Sequence, residues 1–213
     1  MKKAILALVA TTTLVGCAGR IDYAPPSQPP ASTDNMVTIN KPKSEVWEES
    51  IPSIGKSYFV INNLDKDSGL INISFSGDPE KYIDCGTVES YVMNARGERT
   101  YRFPAARANT RYEAMTNGML LGFNRSMSLD GRINLIFEEI GPDSTRVTAN
   151  TRYVVNRTNQ VTRASDNLTH TSKDSISFSS GEKASFPPNA DGESTTCVPN
   201  GDLERDVLSA IQG

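Results

Sequence analysis

The sequence predicts an α+β fold: a curved antiparallel sheet with an early helix and a C-terminal helix packed on one face. Three observations carry this. Helical apolar spacing brackets the folded region, in Val46-Trp47…Ile51…Ile54 near its start and Leu203…Val207-Leu208…Ile211 at its end. Between them, strand-forming residues and turn signals dominate. The apolar positions there alternate with polar ones, as in an antiparallel sheet with one wet side, and helices segregated from such a run of strands define the class.

Val37-Thr38-Ile39-Asn40 starts the fold as a short strand. Lys41-Pro42-Lys43-Ser44 then breaks the chain and offers Ser44 as an N-cap. Pro52 should kink or shorten the helix that follows, and Gly55 fits its stop. Trp47, the only tryptophan, either packs this helix onto the sheet or stacks on a ligand. Tyr58–Leu64 and Leu70–Ser76 read as two strands. Between them, Asp65-Lys66-Asp67-Ser68-Gly69 resembles a calcium loop but lacks that loop's glycine at Leu70 and its acidic ligand at Ser76, so it reads as a hairpin turn.

Phe123, Met127 and Leu129 alternate with polar residues, and Asp130-Gly131 is a two-residue hairpin signal. Ile133, Leu135 and Phe137 form the next strand; Gly141-Pro142-Asp143-Ser144 turns the chain, and Val147–Val155 completes a three-stranded meander. Asn156–Ser175 is rich in Asn, Thr, Ser and Asp and reads as a loop. Ile176/Phe178 and Ala184/Phe186 suggest a further hairpin, and Thr195–Val198 a last strand before the C-terminal helix.

The N-terminus has its own logic. Met1-Lys2-Lys3 precedes an apolar run, Ala4–Val9, far short of the roughly 20 residues that span a membrane. Basic start, short apolar core and small-residue end fit a secretory leader over residues 1–16. Leu14-Val15-Gly16-Cys17, followed by Ala18-Gly19, resembles the lipobox of bacterial lipoproteins. The resemblance implies that Cys17 is diacylated and becomes the mature N-terminus. It also implies, because Ala18 is not Asp, transfer to the periplasmic leaflet of the outer membrane. Residues 17–35, with Pro25, Pro26, Pro29 and Pro30, then read as a tether, and residues 36–213 as a single periplasmic domain.

Charge and cysteines narrow the function. Loss of Lys2 and Lys3 leaves about 20 basic against 25 acidic residues, which argues against general nucleic-acid binding. With Cys17 on lipid, Cys85 and Cys197 remain as an even pair in an oxidising compartment, so a disulfide is expected, with two buried free thiols as the alternative. Their separation and the single histidine, His170, give no metal-ligand spacing, and no cofactor is expected. Arg96, Arg99, Arg102, Arg107 and Arg111, with Tyr101 and Tyr112 interleaved, form the most basic stretch. It reads either as a face for an anionic partner or as a solvated strand surface.

Val46-Trp47 in a helix, a strand, and Asp67-Ser68-Gly69-Leu70-Ile71 in a turn leading to another strand resemble helix-grip lipoprotein domains, including those of the outer-membrane β-barrel assembly machine. That resemblance implies a sheet gripping a helix. Neither G-x-S-x-G nor H-E-x-x-H occurs, and Glu138 and Glu139 point to opposite faces of a strand. The expectation is a non-enzymatic, membrane-anchored accessory or scaffold subunit with an envelope protein partner. The alternative is a binding module holding an apolar or lipid-like ligand between sheet and C-terminal helix.

Overall fold

The computed structural model describes residues 18–27, 35–188 and 194–212; Cys17 and residues 28–34 of the proline-rich segment lie outside them. The elements in chain order are β1 (Ala18–Ala24), β2 (Met36–Ile39), α1 (Lys43–Gly55), β3 (Val60–Asp65) and β4 (Leu70–Gly77). Then come α2 (Pro79–Tyr82), β5 (Ile83–Asp84), β6 (Thr87–Asn94), β7 (Gly97–Pro104) and β8 (Asn109–Thr116). The long strands β9 (Met119–Gly141), β10 (Ser144–Arg163) and β11 (Thr169–Ser179) follow, then β12 (Ala184–Ser185), β13 (Thr196–Pro199) and α3 (Asp202–Gln212). The architecture is α+β, mostly antiparallel sheet, with α3 contacting both α1 and the sheet.

The β9–β10 hairpin is the spine. From Met119 to Phe137 it runs about 60 Å at ~3.3 Å per residue. Each spine strand has two partners in succession along its outer edge. β9 pairs with β8 through Ser126 and with β4 from Leu129, while β10 pairs with β2 over Thr145–Thr148 and with β11 from Arg152. Odd-numbered residues of both spine strands face inward along their length, which is what a period of two demands of a sheet covered on one side.

At one end that inner face is covered by the helices. Trp47 of α1 meets Phe137 edge-on, with ring centroids 5.3 Å apart, as expected of a packing residue. Leu203, Val207, Leu208 and Ile211 of α3 are all buried and fill the space between helix and sheet. At the other end a small sheet, ordered β1-β6-β7, lies against β8, and Tyr112 stacks on Phe123 at 4.6 Å. The outer face stays wet. There Asn62 donates to Asn72 and Asn72 to Asn134; Asn134 sits opposite Asn150, to which Asn35 donates, making an amide row across the sheet.

Four expectations are revised. Asp130-Gly131 is not a turn: neither residue takes the positive φ that such a hairpin needs, and β9 runs straight through it. A Cβ on Gly131 would lie 3.0 Å from Leu203 Cδ2, so glycine there lets α3 pack close to the sheet. Residues 156–175 are not a loop but the upper half of the β10–β11 hairpin, with Asn156 paired to Ser175 and Val161 to His170. The stretch of chain after Cys17 is not free either. Ala18–Ala24 forms β1 on the edge of β6, and the Tyr23 hydroxyl donates to the Cys85 and Thr196 carbonyls, at 3.1 and 3.2 Å. Finally, α1 starts at Lys43 behind Pro42, without a Ser44 side-chain cap, and continues through Pro52, which forfeits the helical hydrogen bond to the Glu48 carbonyl.

Asp65–Gly69 is the turn expected: Ser68 N donates to Asp65 Oδ1 at 3.2 Å, and Gly69 takes φ +70.

Candidate functional site

Cys85 and Cys197 are joined by a disulfide. Cys85 follows β5 and Cys197 lies in β13, two short strands that pair through only Ile83, Asp84, Val198 and Pro199. The bond therefore fixes the segment from which α3 starts.

The arginine-rich stretch is not gathered into one surface. Arg96 tips the β6–β7 turn, and Arg99 and Arg102 stand on opposite faces of β7. Residues distant in sequence supply carboxylates that the linear reading could not see. Arg99 Nη2 is 2.8 Å from Glu113 Oε2, close enough for charge attraction though misaligned for a hydrogen bond. Arg102 is 4.0 Å from Glu89, and Arg107 3.4 Å from Glu80. Arg111 flanks a groove of about 350 Å³ on the wet face, above Gly122, with Tyr101, Asn124, Gln160 and Thr162.

The unusual chemistry lies inside. Where the helix-covered half of the sheet meets the β6–β7-covered half, the inner face turns polar. Thr110 of β8, Arg125 of β9 and Asn159 of β10 face inward side by side, with Arg157 and Asp174 in the next row. Arg125 is 4% exposed and Arg157 2%. Arg157 donates from Nη2 to Asp174 Oδ2 at 3.0 Å and to the Pro187 carbonyl at 3.3 Å, and lies over the Phe186 ring at 4.3 Å. Arg125 lies over Phe103 at 5.1 Å and has no carboxylate within ion-pair distance among the described residues. Burial pushes the Arg125 guanidinium down to about 10; Tyr112 opposes this, and the weaker fields of Arg157 and Arg107 add to it. A buried charge left without a counter-ion costs several kcal/mol. The sequence did signal this: Arg125 stands in the apolar phase of Phe123-x-Arg125-x-Met127-x-Leu129, the position where a charge does not belong.

Two further clusters serve the fold. The Glu204 carboxylate of α3 is buried and accepts from the Tyr153 hydroxyl at 2.7 and 2.8 Å and from the Ser180 hydroxyl at 2.6 Å. Burial and the adjacent Glu204 raise the Tyr153 phenol well above its ordinary range. At the surface, Asp206 accepts from Tyr58, Lys81 and Tyr82 at 2.7, 2.8 and 3.0 Å. Burial opposes ionisation of Asp206, but these donors outweigh it and its carboxyl stays below the usual range. Among the described residues no three His, Cys, Asp or Glu side chains converge, and no helix is long and apolar enough to cross a membrane. His170 is exposed on β11.

Comparison with known proteins gives no match to a family model, a curated protein or a solved structure.

Proposed function

We propose that the chain is a lipid-anchored, non-enzymatic accessory or scaffold subunit of a bacterial envelope assembly, held by Cys17 at the periplasmic face of the outer membrane. The observation that carries this reading is where β1 begins. Ala18, next in sequence to the expected lipidation site, pairs with Met93 and Gly19 packs against Met115, which puts the start of β1 at one pole of the spine. The β6–β7, β8–β9 and β10–β11 turns lie at that pole, where Arg96, Met119 (41% exposed) and Leu168 (62% exposed) stand out. Exposed apolar tips beside a basic residue suit contact with a bilayer interface carrying anionic head groups. With β1 zipped to the domain, the anchor holds this pole against the membrane with no spacer.

The opposite pole is then about 60 Å into the periplasm. It carries the β3–β4 and β9–β10 turns, exposed Leu64 and Ile140, and a groove of about 340 Å³ between Trp47, Pro42, Lys66, Glu139 and Pro142. This is the end available to a protein partner. The disulfide fits an extracytoplasmic compartment. The filled space under α3 favours docking over a ligand held between helix and sheet.

The test is affinity isolation of the lipidated protein from detergent-solubilised membranes, with labelled palmitate followed in parallel. Wild type is expected to carry label and return one stoichiometric partner, and Cys17→Ala to carry no label. An unlabelled wild type, or a labelled one that returns no stoichiometric partner, contradicts the reading.

A further inference from the structure

The polar band inside the sheet is short of acceptors. Nε and Nη2 of Arg125, Nε and Nη1 of Arg157 and Oγ1 of Thr110 are all buried with no hydrogen-bond partner among the described residues. Each is a donor. Asp174 satisfies only Nη2 of Arg157, and Arg107, whose field reaches Arg125, is paired with Glu80. One positive charge is left over.

The geometry of the orphan donors is specific. Nε and Nη2 lie along one edge of a guanidinium, the edge that grips a carboxylate or phosphate through two parallel hydrogen bonds. Phe103 lies 5.1 Å from Arg125 Cζ and attracts its charge, but supplies no oxygen acceptor for the Nε and Nη2 hydrogens. Thr110 is directly opposite Arg125 on β8, and Arg157 stands one row away on β10, all three on the inner face.

We propose that Arg125 and Arg157 form a site for one oxyanion, a carboxylate or a phosphate. The Arg125 Nε/Nη2 edge holds it as a fork, Arg157 adds a charged donor, and the Thr110 hydroxyl completes the set. The ion balances the surplus charge and gives the buried donors acceptors, which neither aromatic ring provides. Because both guanidiniums are closed off from bulk solvent, a bound ion exchanges slowly.

Isothermal titration of the full-length, detergent-solubilised protein with inorganic phosphate, glycerol 3-phosphate and acetate, each against chloride at equal ionic strength, tests the site. At least one probe is expected to bind with a stoichiometry of one. Preference for glycerol 3-phosphate over inorganic phosphate would identify an esterified head group as the natural ligand, and the reverse a free ion. Arg125→Lys keeps the charge but removes the fork and should weaken binding at least ten-fold, whereas Arg132→Lys on the wet face should not change it. In parallel, wild-type protein labelled with 15N-arginine should show two Nε–H signals replaced by a new pair as the probe is added, a readout that needs no variant to fold. No binding beyond chloride, wild-type affinity in Arg125→Lys, or Nε–H signals unmoved at saturation would each overturn the proposal. None of these readouts depends on Cys17 or on a protein partner.

Discussion

Breaking the Cys85–Cys197 bond should cost this domain about as much as truncating a large core side chain, and the reason can be worked from where the bond lies. The two cysteines are 112 residues apart in sequence, so the bond closes a loop that holds nearly all the strands between β5 and β13. In the chain-entropy model such a loop restricts the unfolded state by about 4–5 kcal/mol, and measured losses for native disulfides run ~2–5 kcal/mol. The other ties at that corner are short: β5 and β13 pair through two residues each, β12 adds two more pairs, and the Tyr23 hydroxyl bridges Cys85 and Thr196. The perturbation is the double variant Cys85→Ser/Cys197→Ser, with reduction of the wild type as a control. Urea unfolding followed by circular dichroism should lose ~2–5 kcal/mol, and each single variant should lose about as much as the double, since either removes the same bond. At 150–250 residues per domain this is a fall of about 4–20 °C in Tm. Amide exchange should rise first in α3. An unfolding free energy unchanged within ~0.5 kcal/mol would refute the reasoning, because it would mean that the corner is held by packing alone.

Two other perturbations follow from the α3 contacts. Glu204→Ala strands the Tyr153 and Ser180 hydroxyls and should destabilise by ~2–4 kcal/mol, with Tyr153→Phe costing ~1–2 kcal/mol; a loss under ~0.5 kcal/mol for the first would contradict the buried acceptor role. Asp206 has a folded pKa below its unfolded value, so its stabilisation is present above pH ~4 and is lost as pH falls through the lower, folded value. Asp206→Asn should therefore be less stable than wild type at pH 7, by ~0.2–1 kcal/mol for so exposed a cluster, and match it near pH 2. Equal differences at both pH values would exclude an ionic origin.

Much of the architecture was legible because it is written in apolar periodicity. Trp47 on a helical stripe, the α3 stripe from Leu203 to Ile211, and the alternation of Ile133, Leu135 and Phe137 each specify a buried face that the structure uses. The disulfide was legible from compartment and parity. What could not be read has one physical cause in two places. The upper half of β10–β11 carries polar residues on both faces, Arg157, Asn159 and Asp174 inward and Asn156, Thr158 and Gln160 outward, so no alternation marks it as strand. The same inward polarity conceals Arg157, since a segment already taken for loop gives an arginine no reason to look misplaced, whereas Arg125 breaks the apolar phase of a recognised strand. Asp130-Gly131 misled in the opposite way. Its dipeptide suits a hairpin, but pairing with β4 on one side and β10 on the other, with α3 above, outweighs a local turn preference. The carboxylates beside Arg99, Arg102 and Arg107 come from neighbouring elements, Glu113 of β8, Glu89 opposite Arg102 on β6 and Glu80 of α2, and strand register, not linear spacing, brings them there.

The account stands on polarity: anchor at the pole of Ala18 and Leu168, partner at the pole of Leu64 and Ile140. A photo-crosslinking residue placed at Ile140 in one strain and at Leu168 in another, in whole cells with Cys17 intact, tests it most directly. Ile140 should give one discrete protein adduct and Leu168 only lipid adducts. A protein adduct at Leu168 with none at Ile140 would contradict the account.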